Sequence, residues 1–220
     1  MNVLLSTTYF GPIQWYQKLY RADKVWIECH ETFQKQTYRN RCVIATTQGN
    51  QALTVPVERS PLSPVITIKD LRISDHGNWR HLHWNAIQSA YGESPFFEYY
   101  QDDIRPFFEK RWDFLLDFNE AICEKMCELI DIQPAIYHTE EYIKIPSSLN
   151  TQHSTLNTQH YPVLNTRDFR DAIQPKHPAA DPDFSPKPYY QVFRQKHGFL
   201  PNLSILDLLC NMGPESIFWL

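Results

Sequence analysis

Asn2-Val-Leu-Leu-Ser-Thr-Thr-Tyr-Phe-Gly-Pro-Ile-Gln-Trp-Tyr-Gln-Lys-Leu-Tyr-Arg-Ala-Asp-Lys-Val-Trp-Ile-Glu28 is the stretch whose reading decides the fold. Val3-Leu-Leu5 is a short buried strand, and Gly11-Pro12 breaks it. Ile13, Tyr16, Gln17, Leu19 and Tyr20 then recur at mixed spacings of three and four, which predicts a helix. Lys24-Val-Trp-Ile-Glu28 predicts a second strand. Strand, helix and strand within about thirty residues make a βαβ unit, whose two strands run parallel.

Downstream, Arg41 to Thr46 and Ala52 to Val57 predict a hairpin turning at Thr47-Gln-Gly-Asn50. Pro56 cannot donate to a ladder, which puts the returning strand on an edge. Val65 to Ile73 adds one more strand through Ile66, Ile68 and Leu71. The stretch entering the hairpin, Lys35-Gln-Thr-Tyr-Arg-Asn-Arg41, holds three cations and an asparagine. If it is extended, Lys35, Thr37, Arg39 and Arg41 share one face, and Gln36, Tyr38 and Asn40 the other. Such a row suits an anionic ligand. It equally suits a salt-bridged face, because Glu28 and Glu31 are near enough in sequence to neutralise it.

After Gly77-Asn78, a plausible cap, Trp79, Leu82, His83, Ala86, Ile87, Ala90 and Tyr91 keep helical spacing as far as Gly92. Asp102, Asp103 and Pro106 read as the entry to a longer helical region with an apolar stripe of Phe108, Trp112, Leu115, Ile122, Met126 and Leu129. From Pro134 to Pro188 the character changes: eight of the sixteen prolines and none of the glycines fall there, which predicts an irregular segment. Within it, Leu149-Asn-Thr-Gln-His-Ser-Thr155 is nearly repeated by Leu156-Asn-Thr-Gln-His-Tyr161, the mark of a loop insertion. Near the C-terminus, Asn202 or Ser204 caps a helix through Leu203, Leu206, Leu209 and Cys210, and Gly213-Pro214 stops it. The expected fold is a single α/β domain over residues 1–220. It has a mixed sheet with an N-terminal βαβ unit and an antiparallel hairpin, packed by helices.

The chain has 220 residues, 42% of them hydrophobic, enough for one sizeable core. Its 14% aromatic content serves packing or an aromatic-walled groove. A net charge of −4 without a basic block argues against nucleic acid as the partner. Five scattered cysteines in apolar surroundings read as reduced core thiols. No apolar run approaches the ~20 residues that span a bilayer, and the first ten residues lack a signal peptide's basic region. A cytoplasmic protein without a membrane span is the expectation.

Isolated signals of chemistry are few. On a helix His81 and His83 point apart, so they cannot chelate one ion, and His83 falls on the apolar stripe as a core histidine. Cys123 and Cys127 share a helical face, a weak claim on zinc. Asp207, flanked by Leu206, Leu208 and Leu209, must point outward or find donors. Glycine-rich phosphate loops, Gly-x-Ser-x-Gly elbows and His-Glu-x-x-His helices are absent from the sequence.

Four stretches together resemble the WbqC-like proteins, in the variant common in Bacteroidetes-type bacteria. They are Ser6-Thr-Thr-Tyr-Phe10 with Pro12; Lys35-Gln-Thr-Tyr-Arg-Asn-Arg-Cys42; Ile73-Ser-Asp-His-Gly-Asn-Trp-Arg-His-Leu-His-Trp-Asn85; and Tyr189-Tyr-Gln-Val-Phe193 with Gly198 to Leu209 and Asn211-Met-Gly-Pro214. The resemblance implies a role in surface-polysaccharide (O-antigen type) biosynthesis. A glycine-transferase label on some members implies transfer of an acyl or aminoacyl (glycyl) group to a nucleotide-linked amino sugar. A noncatalytic binding or scaffolding protein of the same pathway is the alternative.

The family's recurrent positions fall here on Tyr9, Pro12, Lys35, Asn40, Arg41, Tyr91, Asn202, Ser204 and Asp207. Many members carry His-Pro or Gln-Pro shortly before the Tyr-Phe pair, where this chain has Ser6-Thr7. The expected ligand-binding set is therefore Tyr9, Lys35, Arg39, Asn40, Arg41, Asn202, Ser204 and Asp207, with no metal and no cofactor. Its ligand would be a nucleotide sugar or another phosphorylated small molecule, whose phosphates Lys35, Arg39 and Arg41 would meet.

Overall fold

The computed structural model describes residues 1–58, 65–144 and 166–220. The near-duplication at 149–161 lies outside them. β1 (Asn2–Ser6), α1 (Ile13–Arg21) and β2 (Lys24–Glu28) form the expected βαβ unit, with β1 and β2 parallel from Asn2 opposite Lys24 to Ser6 opposite Glu28. Val3, Leu4 and Leu5 are wholly buried, as a central parallel strand covered on both faces requires. Gly11 lets the chain turn sharply from β1 into α1. A Cβ there would lie 2.3 Å from Thr8 Oγ1, so only glycine fits.

Two short strands complete the parallel sheet: β5 (Ile136–His138) pairs with β2, and β6 (Thr166–Asp168) with β1, giving the order β5-β2-β1-β6. The hairpin, β3 (Arg41–Thr46) and β4 (Gly49–Thr54), forms its own two-stranded antiparallel sheet and turns at Thr47-Gln48, with Gly49 at φ +97°. Pro56 lies beyond its end. α2 (Trp79–Tyr91) occupies the expected span.

Three expected elements take other forms. Val65 to Ile73 is no strand, because its residues bridge to three separate partners: Thr67 to Thr32, Ile73 to Val57 and Arg72 to Phe114. The long helical region is divided into α3 (Phe97–Ile104), α4 (Pro106–Glu109) and α5 (Leu115–Leu129). Asp102 and Asp103 thus end α3 instead of opening a helix. The break before α5 has a cause in backbone pairing, since Ile73 N donates to Asp113 O and Leu115 N to Leu71 O. Short α6 (Arg194–His197) precedes α7 (Ile205–Met212), which Ser204 caps by accepting from Leu206 N, and a 3₁₀ turn (Gly213–Trp219) follows.

The third correction concerns the cationic row. Residues 35–40 form successive turns, with Gln36 at φ +61°, and only Arg41 belongs to a strand. Lys35 is exposed and Arg41 half-buried, its Nε donating to Thr54 Oγ1 at 3.0 Å. Arg39 is 2% exposed and turned inward, donating to both carboxylate oxygens of Glu31 and, at 2.8 Å, to Ser6 Oγ. Glu31 therefore neutralises Arg39, and no common face of cations exists among Lys35, Arg39 and Arg41.

Removing one partner of a buried ion pair strands the other. Arg39→Ala should cost about 3–5 kcal/mol of unfolding free energy, and Arg41→Ala less than about 1 kcal/mol. Urea titration of the two variants checks both values.

Candidate functional site

The carboxyl end of the parallel sheet gathers polar side chains from four strands and their loops, which is where open α/β sheets place ligands. Glu28, the last residue of β2, is fully buried. Its Oε1 accepts from His30 N at 3.0 Å and Thr139 Oγ1 at 2.8 Å, and its Oε2 from Ile143 N at 2.9 Å and Arg170 Nη1 at 3.2 Å. Arg170 also holds Asp168, at the end of β6, with Nη2 to Oδ2 at 2.7 Å. One carboxylate thus ties together the loops after β2, β5 and β6. Beside it, Ser6 at the end of β1 meets the Arg39–Glu31 pair.

Next to this network lies a cavity of about 510 Å³, within the usual range for small-molecule sites. Trp15, Ile27, Cys123, Cys127, Ile132 and Ile136 give it apolar walls, and Thr7 and Asn119 reach it from the sheet end and α5. Glu120, Glu124 and Glu128, each four residues apart on one face of α5, supply its negative charge. Among the described residues no lysine or arginine lines it. His138, at the end of β5, places Nε2 2.7 Å from Glu120 Oε1, and that partner raises the imidazole pKa above its ordinary value. Asn119 is 1% exposed; its Nδ2 donates to Arg39 O at 2.8 Å, while its Oδ1 has no partner. Asn119 thus brings to the cavity wall a buried amide oxygen that no group among the described residues satisfies.

Cys123 and Cys127 stand on the same wall with Sγ atoms 4.0 Å apart. The hydrogen bond between the thiols, with burial, raises the Cys123 pKa, so Cys123 presents an unreactive thiol on this wall. Among the described residues no group of three or more His, Cys, Asp or Glu side chains could hold a metal ion.

The expected ligand set is placed mostly elsewhere. Tyr9 is fully buried, and its hydroxyl lies 2.9 Å from His83 Nδ1; burial pushes His83 down to about 4, leaving a neutral core histidine. Asn40 Nδ2 donates to Val55 O at 2.8 Å. Asn202, at φ +53°, accepts from Gln14 N at 3.0 Å and donates to Gln14 Oε1 at 3.0 Å, and Ser204 Oγ donates to Phe10 O at 2.8 Å. Asp207 is 1% exposed and has found donors, Tyr189 Oη at 2.6 Å and Gln191 Nε2 at 2.9 Å. The structure gathers Asn202, Ser204 and Asp207 around the start of α7 and holds Tyr9 against α2. Lys35 and Arg41 lie apart from them, and only Arg39 borders the sheet end.

Sequence reasoning did not single out Asn119, Glu120, His138, Thr139 or Arg170. Two signals pointed toward the site. Glu28 closes an otherwise apolar strand at its carboxyl end, and Glu120, Cys123, Glu124, Cys127 and Glu128 keep helical spacing beside the stripe of α5.

A short parallel sheet with a polar carboxyl end beside an acidic, apolar-walled cavity defines a small α/β protein with a candidate ligand site. The sequence profile described as the WbqC-like protein family matches residues 7–218, and the chain belongs to that family. It is also similar to a protein of Mycobacterium tuberculosis (strain ATCC 25618 / H37Rv) described as "Uncharacterized protein Rv1507c". The two are 26% identical over 190 residues, which is 84% of this chain and 81% of the relative. No solved structure matches the chain. Among the described residues no helix is long and apolar enough to cross a membrane.

Asp207 offers a pH test of its buried role. Desolvation raises its pKa to about 6 against about 3.9 in an unfolded chain, outweighing the lowering by Tyr189 and Gln191. The folded state therefore binds the proton more tightly. The stability this gives is complete below about pH 4 and lost as pH rises through about 6, a span worth about 3 kcal/mol. Asp207→Asn should remove that span. The difference between wild-type and variant unfolding free energies from pH 4 to 7 reads it directly and cancels the opposite contribution of His83, which costs stability as pH falls from about 6.5 toward 4.

Proposed function

We propose that the protein acts in surface-polysaccharide assembly in the cytoplasm, as a single domain that transfers an acyl or aminoacyl (glycyl) group to the amine of a nucleotide-linked amino sugar. The observation that carries this reading is the 510 Å³ cavity, charged only by carboxylates and by His138. An acidic mouth attracts the protonated amine, apolar walls strip its water, and Asn119 Oδ1 accepts one of its hydrogens. Glu120 orients His138 and raises its pKa, which makes the imidazole a stronger base. His138 takes the ammonium proton, and the neutral amine nitrogen so formed attacks the carbonyl carbon of an activated ester or thioester. The C–N bond forms, the bond to the leaving group breaks, and the alcohol or thiol departs with the second amine proton while His138 returns the first to solvent. No protein nucleophile is needed, which suits the inert Cys123 thiol on the wall.

The placement of cations favours a second reading, a noncatalytic binding or scaffolding protein of the same pathway. Arg39 and Arg170 at the sheet end are both engaged by carboxylates, which leaves neither free for a diphosphate.

Incubating the protein with acyl and aminoacyl donors and nucleotide-linked amino sugars, then weighing the products by mass spectrometry, separates the two. Transfer should occur and fall by roughly 10²–10⁴-fold in His138→Ala, with unchanged melting because the side chain is half exposed. Absence of any amide product with wild-type protein sinks the transferase reading and leaves the scaffold.

A further inference from the structure

The stretch Ser74 to Asn85 helped to mark the family, yet the acidic cavity does not use it. It builds a second cavity of about 280 Å³ where α2 begins, against the junction of α3 and α4. From this cavity we infer that the protein has a second ligand site, one for a phosphomonoester, which stands apart from the proposed transferase site.

Arg80 and Arg105 line it from two different helical segments, against the single carboxylate of Glu109. Guanidinium stays charged at any working pH, so the lining carries a net positive charge where the first cavity is negative. Arg105 Nε donates to Glu109 at 2.6 Å across one exposed helical turn, a pair that an incoming anion can exchange at little cost. Arg80 uses Nη1 on Asp75, at 2.8 Å, and rests 4.7 Å above the Trp79 ring. Its Nε and Nη2 are buried and make no hydrogen bond. These two donors are closed off while Nη1 holds Asp75; a turn of the side chain away from Asp75 would bring the unused fork into the cavity, where phosphoryl oxygens match it.

The remaining walls agree with that charge. His81 Nε2 lies 2.9 Å from Asn85 Nδ2; the amide can only donate, so the ring's proton sits on Nδ1 and gives the wall another donor. Asn78 makes no side-chain cap bond and the first turn of α2 has no acidic residue, so nothing there offsets the positive helix end. Trp84 and Phe108, with centroids 5.9 Å apart, close the cavity with aromatic surface for the body of the ligand. The two cavities share no lining residue.

Calorimetric titration of the full chain at low salt with UMP, glucose 1-phosphate, inorganic phosphate and uridine tests the site. UMP and glucose 1-phosphate should each saturate a single site, and uridine should not bind. UMP binding tighter than glucose 1-phosphate assigns a planar ring to the aromatic wall, and the reverse order a sugar; either supports the site. Arg105→Ala should weaken both phosphoesters at least ~10-fold without moving the melting temperature, because that side chain is exposed. Arg80→Lys keeps the charge, loses the fork, and should weaken them similarly. His138→Ala should bind them as the wild type does. The proposal is overturned if no phosphate probe binds, if uridine binds as tightly as UMP, or if both arginine variants bind like the wild type.

Discussion

The carboxylate of Glu28 is the constraint on which the sheet's working end depends. It is fully buried, and four donors from the loops after β2, β5 and β6 converge on it. β5 and β6 are only three residues long, too short to fix the chain beyond them by ladder bonds alone. A charge in a water-poor place is tolerated only when its acceptor capacity is filled, and filling it is what draws the three loops together. His138, one residue before Thr139, is thereby positioned against Glu120. The geometry of the acidic cavity follows from an interaction outside it.

Charge around this end of the sheet is sorted by depth. The deep cations Arg39 and Arg170 are committed to Glu31, Glu28 and Asp168, while Glu120, Glu124 and Glu128 of α5 line the cavity, Glu120 against His138 and Glu128 against Lys125. The cavity lined by Arg80 and Arg105 shares no lining residue with the acidic one. Any substrate with an amine at one end and phosphate at the other meets opposite fields at the two places. The architecture separates the two chemistries that a row of cations on one strand would have merged.

Much of the fold was legible because the informative signals were local. The apolar run at Val3, the break at Gly11-Pro12 and the spacing through α1 depend on neighbours in sequence, as do the hairpin and α2. What was not legible depended on pairing between distant segments. Residues 110–114 leave the helix because 71–73 bond to them, and residues 35–40 coil because Arg39 gains more from Glu31 and Ser6 than from a strand face. The site suffered most from this limit. Lys35, Arg39 and Arg41 were grouped by a strand periodicity that the backbone does not have. His138 and Glu120 are 18 positions apart, and Glu28 and Arg170 are separated by 142; neither pair leaves a local trace. Asp207 was the partial exception: leucines on both sides left it either to point outward or to find donors, and it found Tyr189 and Gln191.

The turn after β1 is built against the far end of the chain. Ile13 N donates to Leu203 O, Ser204 Oγ to Phe10 O across 194 positions, and Gln14 and Asn202 exchange bonds across 188. During synthesis the first helix has no completed N-terminus until the segment around Ser204 has left the ribosome. Contacts of such separation carry a large loop-closure cost and slow the search for the native state. The βαβ unit, although it is made first, is finished last, and its apolar strands wait for their final cover until the C-terminal segment arrives.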